Sequence, residues 1–235
     1  MRHELLKTLV NRFGENYSES LRIDLRSGED AEIFKWFLAS ILFGAPIREH
    51  SARQTYECFV KHHVLTADEI LKTGWEALVR ILDEGGYTRY DFKTADKLLE
   101  VMRNLKERYD GSLKLLHESA SNSSDLEKRL KDLGKGIGDV TVNIFLRELR
   151  GILIKARSQP SSMVALAAKN LGITRKQVVN VTLEDLEEFW HRNLVTGRSF
   201  TNFETTLLRL GKDFYRKGRA LPVEASGARR HRRGP

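Results

Sequence analysis

At 235 residues, with a net charge of +8 and a pI near 9.6, the chain can bury a substantial core in one large or two small domains. No stretch is long and apolar enough to span a bilayer, and MRHELLKTLVNRFGEN lacks a signal peptide's apolar core, so a cytoplasmic protein is expected. A single cysteine, Cys58, excludes an intrachain disulfide and any four-cysteine iron–sulfur or zinc site within the chain.

The basic balance favours an anionic partner, but half of it sits in the tail, where five arginines from Arg219 to Arg233 stand against Glu224. The body is only mildly basic. Four prolines and few β-branched runs suit an all-α protein.

Residues 1–25 read as one amphipathic helix, with Leu5, Leu6, Leu9, Val10 and Phe13 inward, and a polar connector. Ser27 to Asp30 caps a helix through Phe43 that is apolar nearly all round, the mark of a helix at the centre of a domain. After Gly44-Ala-Pro46 a helix from about Glu49 to Lys61 turns Ala52, Tyr56 and Phe59 inward, with Cys58 as a buried thiol. Thr66 to Glu69 and Thr73 to Glu76 cap two further helices, the second stopped at Gly85-Gly86. A long helix over 87–109 carries Ala95, Leu98, Leu99, Met102 and Leu105. Gly111 stops it, and a linker with His117 and a serine cluster follows.

The stretch 124–150, SDLEKRLKDLGKGIGDVTVNIFLRELR, has its own signature. Ser124 and Glu127 make a capping box for a helix with Leu126, Leu130 and Leu133 on one face. Gly134-Lys135-Gly136-Ile137-Gly138 forms a tight turn, and a second helix follows with Val140, Ile144, Phe145 and Leu149 inward. Glycines admit positive φ and close backbone approach, Ile137 plugs the space between the helices, and N–H groups at the second helix's start stay open to a phosphate. Glu148 reads as a solvated residue paired with Arg147 or Arg150. Beyond it, 151–162 is a loop. Short helices are expected over 163–171, 174–181 and 182–194, with a last one over 202–217. Phe189, Trp190, Phe200, Phe203, Leu207 and Phe214 supply their core, and the tail from Leu221 reads as disordered.

Leu133, Gly136, Ile137, Gly138, Thr141 and Asn143 resemble the helix-hairpin-helix of the endonuclease III superfamily of base-excision DNA glycosylases, L-P-G-h-G followed by K-T-A-x-x-h, with one extra residue before Gly136. The segments ASILFGAPIREHSARQTYECF and GGYTRYDFKTADKLLEVMRNL are similar in place to the family's A-x-L-L-S-A-Q-x-x-D and G-h-Y-x-x-K-A-x-x-I stretches. The resemblance covers about half the chain. It implies an all-α fold of two helical domains: a six-helix barrel over 26–150 containing the hairpin, and a second domain from 1–25 and 151–218, with a basic tail over 219–235. It also implies double-stranded DNA as partner, held with little sequence preference by Lys135, Gly136, Ile137, Gly138, Val140 and Thr141, by a protein acting as a monomer.

The chemistry implied is hydrolysis of the N-glycosidic bond of a damaged, flipped-out base. Lyase activity is not expected, because the family's Schiff-base lysine falls on Val140. The family's catalytic aspartate falls at or near Ser158, and no aspartate lies between Val140 and Glu184, so the catalytic candidates are Asp139, Lys155 and Ser158. No metal site or P-loop is present, and no cofactor is implied beyond a monovalent cation at the hairpin. Two other readings stand beside this one: a catalytically inactive DNA-binding module of the same fold, and a helical protein–protein scaffold.

Overall fold

The computed structural model describes residues 3–174 and 180–221, and these are helical, with no strand among them. In chain order the helices are α1 (His3–Phe13), α2 (Tyr17–Ser20), α3 (Asp30–Phe43), α4 (Glu49–Lys61), α5 (Ala67–Glu84) and α6 (Asp91–Tyr109). Then come α7 (Leu113–Ser119), α8 (Ser123–Lys131), α9 (Asp139–Glu148), α10 (Ser162–Asn170), α11 (Leu183–Arg192) and α12 (Phe200–Asp213). No helix among the described residues is long and apolar enough to cross a membrane. Most of the helix expected over 174–181, and the tail beyond Leu221, lie outside the described residues.

The chain divides into two compact units, Tyr17–Ser158 and the terminal segments Met1–Asn16 with Gln159–Pro235. The edges differ from the expected 26–150. Residues 17–25 and 151–158 belong to the middle unit, and buried hydrogen bonds explain the first of these. The N–H groups of Tyr17 and Ser18 donate to the Glu148 carboxylate at 3.0 and 2.9 Å, which ties α2 to α9.

In the middle unit α3 lies at the centre. Ile33, Phe34, Trp36, Phe37, Leu38, Ala39, Ile41 and Leu42 are all buried, because α4, α7 and α9 pack around it. The indole N–H of Trp36 donates to the Phe145 carbonyl at 3.0 Å, and the Phe37 and Phe145 rings meet edge to face at 5.0 Å. Close helix approach is set at two glycines. A Cβ on Gly44 would lie 2.2 Å from the Thr141 hydroxyl, and one on Gly85 would lie 2.3 Å from Cα of Thr55.

Several local expectations are corrected. Asn122, two residues before Ser124 of the expected Ser124–Glu127 box, caps α8 by accepting from the Asp125 N–H at 3.0 Å. The linker after Gly111 folds as α7, since Ser112 caps it and Leu113 and Leu116 have a core to enter. The helix expected from Tyr87 starts at Asp91; Tyr87 itself is buried, its hydroxyl donating to the Leu42 carbonyl. Thr66 does cap α5 through the Glu69 N–H, but the second cap fails: Thr73 donates back to the Glu69 carbonyl, and a kink at Gly74 (φ 71°) separates the two halves.

In the terminal unit α12 packs against α1, α10 and α11. Its core is Leu6, Leu9, Val10, Val164, Leu186, Trp190, Phe203, Leu207 and Leu210, with the Trp190 and Phe189 rings stacked on Phe203 at 5.3 and 5.7 Å. Helix α12 starts two residues before the expected Asn202, because Ser199 and Asn202 form a reciprocal capping box. Thr182 and Asp185 do the same for α11, as the T-x-x-D spacing predicts. At Gly211 the α10 backbone comes so near that a Cβ would lie 2.0 Å from the Met163 carbonyl oxygen. Gly211→Ala should therefore force the two helices apart and cost about 1–3 kcal/mol, read as a lower urea midpoint, despite alanine's better helix propensity.

Candidate nucleic-acid interface

Helices α8 and α9 are joined by the turn 132–138, and side chains of α6 fix its carbonyl side. Asn104 Nδ2 donates to the Leu133 carbonyl at 2.8 Å, and Arg108 Nη1 to the Asp132 carbonyl at 3.0 Å. Glu100 accepts the Lys135 N–H at 3.3 Å, while Val101 closes against Gly134. Residues 97, 101, 104 and 108 share one face of α6 by their helical spacing. The carbonyls at the end of α8 are thus satisfied by a neighbouring helix.

The amide side of the turn is open. Gly136 has φ 87°, which turns the chain in a conformation that a Cβ would strain. Ile137 is 4% exposed and fills the space between α8 and α9, as its position predicts. Gly138 is the N-cap of α9 and, having no side chain, caps nothing. The N–H groups of Gly136, Gly138, Asp139, Val140 and Thr141 have no acceptor among the described residues. Such a cluster at the positive end of a ten-residue helix suits an anion.

The residues expected at this site divide. Lys135 is exposed on the turn, and Gly136 and Gly138 are exposed with it. Val140, expected inward, is 62% exposed, because Val142, Phe145, Leu146 and Leu149 form the inner stripe of α9. Thr141 is buried against Gly44, so it offers its backbone alone.

The three catalytic candidates sit in different settings. The Asp139 side chain is 90% exposed and pairs with Lys131 at 2.5 Å, which holds the Lys131 ammonium above its ordinary range. Lys155 donates its ammonium to the carbonyls of His117 and Glu118 at 2.8 and 3.2 Å, closing the end of α7. Its backbone N–H reaches His117 Nε2 at 3.3 Å, and burial, with the Lys155 charge beside it, holds that imidazole below its usual range. Ser158 is buried, with no hydrogen-bond partner for its Oγ, while its carbonyl accepts from Arg150 at 2.7 Å. Among the described residues no group of three or more histidine, cysteine or acidic side chains gathers as a metal site.

Two features were missed. Glu148, expected in solvent, is buried, and its carboxylate holds the two α2 N–H groups and lies 3.3 Å from the equally buried Arg147 guanidinium. Its spacing of three from Phe145 was the available signal, since it puts Glu148 on the buried stripe. The second is Lys97, whose stem crosses the turn so closely that a Cβ on Gly136 would lie 2.7 Å from Lys97 Cε and 3.2 Å from Nζ. Burial lowers the Lys97 pKa from its ordinary value. No family model matches the sequence, and no curated protein matches it.

Proposed function

We propose that the protein binds double-stranded DNA through its sugar–phosphate backbone, using the turn 134–138 and the first turn of α9. The open amides of Gly136, Gly138, Asp139, Val140 and Thr141, on a turn held from behind by α6, carry this reading. The resemblance of the same residues to the helix-hairpin-helix of base-excision glycosylases supports it. On that resemblance the unit Tyr17–Ser158 is the counterpart of the family's barrel. The reaction would be hydrolysis of the N-glycosidic bond of a flipped base, without a Schiff base, because residue 140 is valine.

A second reading, a DNA-binding module without chemistry, is favoured by the state of the candidates. Asp139 is on the open surface, the Lys155 amine is engaged by two carbonyls, and Ser158 brings no negative charge to an oxocarbenium-like centre. Incubation with duplexes carrying single uracil, oxidised or alkylated bases, followed by alkali cleavage, separates the two. Base release without borohydride trapping identifies a monofunctional glycosylase. Binding without release identifies the module. Absence of binding at 50 mM salt contradicts both.

Asp139→Asn distinguishes its two possible roles. A carboxylate beside a bound phosphate repels it, so the variant should bind duplex about three- to fivefold more tightly at low salt, by fluorescence anisotropy. Loss of base release with unchanged affinity would instead make Asp139 the catalytic carboxylate.

A further inference from the structure

We infer that Lys97, from α6, is the side-chain cation of the hairpin and contacts the phosphate held by the turn, whereas Lys135 of the turn itself contributes mainly its backbone. This rests on the DNA-binding reading above and names the residue that supplies its charge.

Two cations beside the turn are already engaged. Lys131 is paired with Asp139 at 2.5 Å, and Arg108 donates to the Asp132 carbonyl. The Lys135 side chain is exposed and nothing among the described residues packs it onto the turn, while its backbone N–H is taken by Glu100. Lys97 differs from all of these. Its stem lies over Gly136, which places its ammonium at the turn, and no carboxylate or carbonyl among the described residues accepts from it. A partly buried ammonium without an acceptor destabilises the protein that carries it, and a phosphate oxygen arriving at the turn supplies the missing acceptor. The glycine at 136 thus has two reasons. It allows φ 87°, and it leaves the room that the Lys97 stem occupies.

A cation retained at a cost in stability predicts opposite effects on folding and binding. The test uses the full chain and a fluorescent 20-base-pair duplex titrated between 50 and 200 mM salt. Lys97→Met should weaken binding by about tenfold at 50 mM and reduce the slope of log K against log salt by about one. Its thermal midpoint should equal or exceed that of the wild type. Lys97→Arg should keep most of the affinity, and Lys135→Met should lose less than about threefold by the same phosphate-contact reasoning. If Lys97→Met unfolds, Lys97→Gln takes its place in the comparison. Unchanged affinity and slope in the Lys97 variant, with the loss appearing in Lys135→Met, would overturn the assignment while leaving the DNA-binding reading intact. A wild-type chain that fails to bind duplex overturns both.

Discussion

Glu148→Ala is expected to destabilise the Tyr17–Ser158 unit by about 3–5 kcal/mol, the range for breaking a buried ion pair on one side. The carboxylate accepts from the Tyr17 and Ser18 N–H groups and faces Arg147, and the side chains of the pair are 1% and 2% exposed. Its removal leaves two buried donors of α2 without an acceptor and a guanidinium without its counter-charge. The Arg147 Nε already has no hydrogen-bond partner, so the arginine has little to fall back on. Whole domains are stable by about 5–15 kcal/mol, so this one change should consume much of the margin. Urea denaturation followed by circular dichroism measures it. A loss under about 1 kcal/mol would mean that the carboxylate is solvated after all. Glu148→Gln should fall between, because an amide oxygen can still accept one of the two bonds while its NH2 opposes the other.

The second large effect is expected at Trp36. Its side chain is fully buried at the centre of α3, and its N–H satisfies the Phe145 carbonyl in α9. Trp36→Ala should cost about 3–5 kcal/mol through lost burial and the cavity left behind. Trp36→Phe retains most of the apolar contact but abandons the carbonyl, and should cost about 1–3 kcal/mol. The ratio between the two variants therefore apportions packing against hydrogen bonding, and equal losses would show that the hydrogen bond is the whole effect. Both residues matter to the site at one remove. Trp36 and Glu148 anchor the last turns of α9, the helix whose first turn carries the open amides.

How far these features could be read from the residues depends on where the determining contacts lie. The central α3 was legible because an all-round apolar run has no solvent face in a packed protein. The turn was legible because Gly-x-Gly chemistry is local: φ 87° at Gly136 and a buried Ile137 follow from residue type and order. The caps of α5, at Thr66, and of α11 were likewise local and were correctly placed. The phase of α9 was legible only in part. Phe145 and Leu149 face the core as expected, but Val142 and Leu146 join them in place of Val140 and Ile144, with Thr141 nested against Gly44 just after α3.

The polar interior was the least legible part. A glutamate next to an arginine on a helix usually means solvent, and only the arrival of the α2 amides, about 130 residues earlier in the chain, makes position 148 a place for a carboxylate. Lys97 was hidden for the same reason. Its spacing marks a face of α6, but the Gly136 turn beneath it comes from a distant stretch. The short α7 shows the converse, where a serine cluster suggested a linker and two leucines with a core to enter decided otherwise.

Whether the hairpin itself meets DNA is decided by backbone amide NMR of the 15N-labelled chain, titrated with an undamaged duplex at 50 mM salt. The amides of Gly136, Gly138, Asp139, Val140 and Thr141 should show the largest shift changes, reversed by raising the salt. Shift changes that leave these five amides untouched and gather elsewhere would contradict contact at the hairpin.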